Sequence, residues 1–294
     1  MPTSPLISAR ELSDMLTRRP GTGPLLLDVR WAMDHQGGYE DYLLGHLPGA
    51  IFVDLVGDLA GEPHDDGRGG RRPMPAPDDF EFDLATCGVD NGRAVVVYDD
   101  ECGRVAGRCW WMLRHYGKFD VRVLDGGLTS WRAAGFPLEQ AEHSIEEGDF
   151  ALGRGLGPVL DAAGAQLYAE QGILLDVRSP GRYSGEWDPM DRVVGHIPGA
   201  INLPSRDLLA PDGCMLPVES LREVLGRAGV DGSRPVGVYC GSGVQAGLVA
   251  LALVHAGFDD EAAYYVGSWS DWISDPRRPV AVGPRPYGDL QYAT

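Results

Sequence analysis

The residues best suited to chemistry are Cys240 and the short stretch that follows it, Cys240-Gly241-Ser242-Gly243-Val244-Gln245. The run Val236-Gly237-Val238-Tyr239 before it reads as a buried strand, and residues 246–256 (AGLVALALVHA) have the apolar density of a helix packed on a sheet. A loop joining a strand to a helix in an α/β sheet lies at the carboxyl edge of the strands, where ligands bind. Two glycines and no proline leave the N–H groups of Gly241, Ser242, Gly243, Val244 and Gln245 free to turn inward around a negative atom. The start of the helix adds partial positive charge at the same point. A cysteine held there is expected to ionise near neutral pH and to act as a nucleophile. The competing fate of a free cysteine is inert burial, which is the reading for Cys87, Cys109 and Cys214. A cysteine-dependent phosphatase would need an arginine six residues after the nucleophile to grip phosphate. That position is Ala246, so phosphate-ester chemistry is disfavoured.

The elements that must hold this loop occur twice. Leu25–Asp28 with Val29 and Arg30 (LLLDVR) recurs as LLDVR at 174–178, and Gly45-His46-Leu47-Pro48-Gly49-Ala50 recurs as Gly195-His196-Ile197-Pro198-Gly199-Ala200. Val95-Val96-Val97-Tyr98 matches Val236-Gly237-Val238-Tyr239, and Gly126-Gly127-Leu128-Thr129-Ser130-Trp131 matches Gly267-Ser268-Trp269-Ser270-Asp271-Trp272. Matches in one order along the whole chain mark a tandem duplication. In each copy short apolar runs alternate with helical stretches, which implies an α/β fold: a mainly parallel sheet with helices on both faces. The boundaries are expected at 1–137 for the first domain and 159–294 for the second. The charged and glycine-rich stretch 138–158 reads as their linker. His46 and His196 read as core residues that orient the two proline turns.

Composition narrows the function classes. The formal charge of −18 over 294 residues argues against nucleic acid or an anionic membrane as partner. An anionic substrate would therefore need arginines placed locally. Five cysteines at irregular spacing, without a CxxC pair, suggest neither a disulfide framework nor a structural zinc site. No apolar run approaches the roughly 20 residues of a membrane span. The N-terminus lacks a secretory pattern and enters a helix through the capping box Ser8/Glu11. A soluble cytoplasmic protein with reduced thiols is the expectation.

Together, the paired GH(L/I)PGA turns, the YCGSGV loop and the GSWSDW segment resemble the two-domain rhodanese-type sulfurtransferases, the class of thiosulfate and 3-mercaptopyruvate sulfurtransferases. The resemblance implies two tandem rhodanese-like domains, only the second carrying a nucleophile. In agreement, Asp99 stands in the first copy where Cys240 stands in the second. It implies a ping-pong reaction without metal or organic cofactor. Cys240 takes a sulfur from a small anionic donor as a persulfide and passes it to cyanide, a small thiol or thioredoxin.

The resemblance further places Arg182 at a substrate-binding position and makes Arg192 the candidate for a second. The neutral Gly241 and Ser242 after the cysteine look like the form that prefers 3-mercaptopyruvate; thiosulfate is the alternative donor. In the mercaptopyruvate subfamily the loop serine belongs to a Ser-His-Asp relay. Ser242 matches, whereas Arg72 stands at the expected histidine, with His64 upstream and Asp54 and Asp58 in the expected acidic region. Arg72 itself would favour an anionic donor. A non-catalytic regulatory protein of rhodanese-like domains would have lost the nucleophile from both copies, and Cys240 stands.

Overall fold

The computed structural model describes residues 4–18, 22–32, 38–258 and 262–292. Their contacts divide the chain into two compact units. The first holds the described residues up to Gly61, with Pro75–Leu156 and Leu209–Met215; the second holds Glu62–Met74, Gly157–Leu208 and the residues from Leu216 onward. Neither unit is an uninterrupted piece of chain. Much of the stretch read as a linker runs along the first unit, through bonds such as Gly148 N–H to the Ala85 carbonyl (2.8 Å) and Phe150 N–H to the Val89 carbonyl (3.0 Å).

In the first unit five strands, β1 (Leu6–Ile7), β2 (Leu25–Asp28), β3 (Ala50–Phe52), β4 (Val95–Tyr98) and β5 (Val121–Leu124), form one parallel sheet in the order β1-β5-β4-β2-β3. Parallel strands are covered on both faces, which is why LLLD and VVVY are buried at every position. The first helix, Ala9–Arg18, starts with the expected capping box: Glu11 N–H donates to Ser8 Oγ (3.2 Å), and Ser8 N–H donates to Glu11 Oε2 (3.0 Å).

The second unit repeats the plan. Strands β6 (Ile173–Asp176), β7 (Ile201–Asn202), β8 (Val236–Tyr239) and β9 (Ala263–Tyr264) run parallel in the order β7-β6-β8-β9, the counterpart of β3-β2-β4-β5. An antiparallel hairpin of β10 (Pro279–Val282) and β11 (Asp289–Tyr292) is added. The helix Ala246–His255 follows β8 and is buried along most of its length, as its unbroken apolar sequence requires.

The duplication extends to buried charge. Asp28 and Asp176 end equivalent strands, and each accepts from the arginine two residues on: Arg30 Nη2 at 2.7 Å and Arg178 Nη2 at 2.6 Å. These arginines also donate to the carbonyls of Gly45 and Gly195, tying each sheet to its proline turn. Both turn histidines are fully buried, with Nδ1 2.8 Å from a tyrosine carbonyl, Tyr42 for His46 and Tyr183 for His196.

Candidate active site

Cys240 follows β8 directly, and Gly241 to Gln245 lead into the helix that begins at Ala246. Gly241 and Gly243 are buried, and Ser242, Val244 and Gln245 are half-buried. Gly243 has φ +76°, a left-handed conformation that favours glycine, and its carbonyl accepts from Tyr264 Oη at 2.5 Å. Gln245 Nε2 donates to Ser205 Oγ. Cys240 itself is 2% exposed.

Cys240 N–H donates to Ser268 Oγ (3.0 Å), and that oxygen lies 4.0 Å from Cys240 Sγ. Ser268 was not among the residues singled out from the sequence. Its φ is +55°, a conformation that costs a side chain on the order of 1–3 kcal/mol. The equivalent residue of the first copy is Gly127, also at φ +55°. The glycine-to-serine exchange between copies was the signal. The strained serine holds the cysteine through the latter's backbone N–H.

The first copy shows what such a loop binds. Asp99 follows β4 as Cys240 follows β8, and its carboxylate is fully buried among backbone N–H groups. Oδ1 accepts from Glu101 (3.1 Å) and Gly103 (2.8 Å), and Oδ2 accepts from Val105 (2.9 Å) and Ala106 (3.0 Å). Burial pushes this carboxyl above the usual range while the four amides pull it down. All four are donors, with no acceptor among them for a carboxylic proton, so the loop is complementary to an anion. In the second copy, among the described residues, the N–H groups of Gly241, Ser242, Val244 and Gln245 donate to no protein acceptor. Asp99→Asn is expected to destabilise the protein by about 2 kcal/mol, because an amide NH₂ would face two N–H donors. Denaturant unfolding measures it, and an unchanged midpoint would mean that the amides do not need the charge.

The other thiols are unsuited to the role. Burial pushes Cys87 up to about 12 and Cys214 up to about 11, and raises Cys109 as well. Cys102 is raised by burial and then by Asp99.

The structure redistributes the arginines. Arg182 Nε donates to Asp188 Oδ2 (2.8 Å) and its Nη2 to Asp191 Oδ2 (3.1 Å). Arg71 pairs with the same Asp191, and Arg71 N–H donates to Ser270 Oγ (3.1 Å). A methyl group on the Gly241 α-carbon would lie 3.0 Å from Arg182 Nη2 and 3.5 Å from Arg71 Nη2, so both guanidinium groups border the loop. Arg192 is exposed; its neighbour Asp191 is the residue that turns inward. Arg72 is half-buried, and its Nη1 donates to the Arg71 carbonyl (3.0 Å). The second cation at the loop is therefore Arg71, which the sequence reading passed over for Arg192 and Arg72. Arg71 reaches it because Glu62–Met74 folds with the second unit: Gly69 N–H donates to Asp271 Oδ1 (2.9 Å).

The groups considered for a relay are placed as follows. Ser242 is half-buried and His64 exposed. Asp54 Oδ2 accepts from Gly57 N–H and Asp58 Oδ2 from Asp54 N–H, both at 2.7 Å, so these two acids close their own turn. Burial pushes Asp58 up to about 6.

Comparison with known proteins bears on the whole chain. The model of the rhodanese-like domain matches it twice, over residues 8–134 and 160–275. A Mycobacterium tuberculosis protein, SseB, assigned as a thiosulfate sulfurtransferase, is 42% identical over 281 residues, 95% of this chain and 97% of its own. A Pseudomonas aeruginosa protein assigned as a 3-mercaptopyruvate sulfurtransferase is 42% identical over 290 residues, 96% of this chain and 100% of its own. The crystal structure of SseA from Escherichia coli, a 3-mercaptopyruvate sulfotransferase, superposes with a TM-score of 0.77 at 30% identity, covering 91% of this chain and 99% of that one. No helix among the described residues is long and apolar enough to cross a membrane. With two rhodanese-like domains and full-length relatives of this kind, the chain belongs to the tandem-domain rhodanese-like sulfurtransferases.

Proposed function

We propose that the protein carries a sulfane sulfur on Cys240 and that its donor is 3-mercaptopyruvate. The observation that carries this reading is the contrast between the copies. One loop commits its amides to the carboxylate of Asp99, and the equivalent loop has amides beside a cysteine that meet no protein acceptor among the described residues. A persulfide is a thiolate lengthened by one sulfur, and such amides stabilise its charge as an oxyanion hole stabilises an alkoxide.

In the first half-reaction the Cys240 thiolate attacks the donor's sulfur. The carbon–sulfur bond breaks, its electron pair leaves as the enolate of pyruvate, and the enolate takes a proton. Ser242 is the loop hydroxyl best placed along the chain to assist that proton. In the second, cyanide, a small thiol or thioredoxin attacks the outer sulfur. The S–S bond breaks, its electrons return to Cys240, and thiocyanate or a persulfidated acceptor leaves. No metal or organic cofactor enters either step. The chemistry suits a reducing compartment such as the cytoplasm, where the thiols stay reduced.

Charge supports the choice of donor. Around the loop Arg71, Arg178 and Arg182 face Asp176, Asp188 and Asp191, so the formal charges cancel. A neutral cluster with guanidinium forks suits the single carboxylate of mercaptopyruvate better than the dianion thiosulfate. The second reading, thiosulfate, is favoured by the two adjacent guanidinium groups, which could share its oxygens. Comparing kcat/KM for the two donors discriminates them. Mercaptopyruvate is expected to lead by at least about tenfold, near 1.4 kcal/mol, and Asp191→Asn to shift the ratio toward thiosulfate. A wild-type preference for thiosulfate would overturn the donor assignment.

A further inference from the structure

The first unit carries a second constellation that the sulfur chemistry does not use. His46 is fully buried, and its Nδ1 lies 2.8 Å from the Tyr42 carbonyl. A carbonyl only accepts, so Nδ1 holds a proton, and in the neutral imidazole Nε2 presents a lone pair. Among the described residues that nitrogen has no hydrogen-bond partner. It faces Glu139 Oε1 at 3.7 Å; His143 Nε2 lies 2.5 Å from the same oxygen, which also accepts from Gly49 N–H. The three donor atoms lie within 4.8 Å of one another. A buried imidazole nitrogen aimed at a carboxylate calls for a positive centre between them, either a proton or a metal ion.

The second copy supplies the control. His196 is held in the same way, with Nδ1 2.8 Å from the Tyr183 carbonyl and its ring stacked on Tyr183 as His46 stacks on Tyr42. There Nε2 lies 3.2 Å from the Pro286 carbonyl. Each turn histidine forms an antiparallel bridge with another residue, Glu139 for His46 and Ala281 for His196. The Pro286 carbonyl also accepts from Gly199 N–H (2.7 Å), as Glu139 Oε1 accepts from Gly49 N–H, so the fold asks for an acceptor here but not for a carboxylate, and among the described residues the first copy alone brings Glu139 and His143 to the imidazole.

We propose that His46, Glu139 and His143 bind a divalent transition metal, with zinc the best fit. Two imidazole nitrogens and one carboxylate oxygen form a donor set that zinc accepts, with a fourth position open toward solvent on the half-exposed Glu139 and His143 side. The proton on Nδ1, held by a backbone carbonyl, orients a metal-ligating imidazole. Tetrahedral zinc sets its donor atoms about 3.3 Å apart. The 3.7 Å pair is near that spacing, and the 2.5 Å pair needs only the partly exposed His143 ring to withdraw. The metal would fasten residues 139–143 to the Gly45-His46 turn.

The test is a titration of the full, metal-stripped and tag-free chain with cobalt(II), followed by displacement with zinc. One equivalent is expected whose spectrum lacks a thiolate-to-metal charge-transfer band, which separates it from binding at the cysteines. His143→Ala and Glu139→Gln, both near the surface, should each weaken it by at least about tenfold. Zinc should raise the melting temperature of the parent chain and leave that of His143→Ala unchanged. No bound equivalent, a thiolate band, or affinity undiminished in both variants would overturn the site.

Discussion

Cys240→Ser is expected to leave the fold intact and to lower sulfur transfer by at least about 10³-fold with either donor. The substitution exchanges one atom in a side chain that is 2% exposed, and the new hydroxyl keeps Ser268 Oγ as a neighbour. Packing therefore changes little, and circular dichroism and the melting temperature should stay close to those of the parent. Chemistry changes completely. A serine hydroxyl is a far weaker nucleophile toward sulfur, and oxygen cannot hold a sulfane sulfur as S–S does. The remaining thiols offer no substitute, since burial raises Cys87, Cys102, Cys109 and Cys214 away from ionisation. Turnover surviving in a folded variant would place the nucleophile elsewhere.

Arg182→Ala is expected to reduce kcat/KM by about 10²-fold or more, chiefly through KM, because a guanidinium that anchors the donor in both ground and transition states is lost. A merely structural arginine would behave differently. Its removal would lower stability by leaving Asp188 and Asp191 short of a partner, and would spare KM in the folded fraction. Both quantities are measured together, with Arg182→Lys as the variant that keeps charge and loses the fork. Arg71→Ala should cost less, about tenfold, since its side chain is 34% exposed against 18% for Arg182 and a more solvated charge is screened. Arg192→Ala should be nearly silent, as the exposed position of that residue requires. An inverted order, with Arg192 dominant, would return the second cation to the residue that the family resemblance suggested.

What could be read from the chain was what local sequence controls. Uninterrupted apolar runs such as LLLD and VVVY need burial on both faces and so specify parallel strands. The glycines at 241 and 243 and the apolar helix after them locate the strand-to-helix loop, and the structure has β8, the loop and the helix in those positions. What escaped depends on register and on contacts distant in sequence. Adjacent residues point to different sides, so a shift of one decides between Arg71 and Arg72, and between Asp191 and Arg192. The side that faces the loop is fixed where Gly70, at φ +78°, lets its segment approach the Gly267 carbonyl more closely than any Cβ would permit. No spacing rule carries that information. Asp99 shows the same limit. Its failure to serve as a sulfur carrier was plain from its chemistry, whereas its capture of four amides needed coordinates. Ser268 was visible as a departure from Gly127, but only the backbone angle gives the departure meaning.

The most direct measurement is the mass of the protein after exposure to donor, followed by peptide mapping. Incubation with 3-mercaptopyruvate should add about 32 Da, one sulfur atom, to the peptide containing Cys240. Cyanide should then remove it with release of one equivalent of thiocyanate. An adduct on another cysteine, or a protein that turns over without ever carrying the extra sulfur, would contradict sulfur transfer through Cys240.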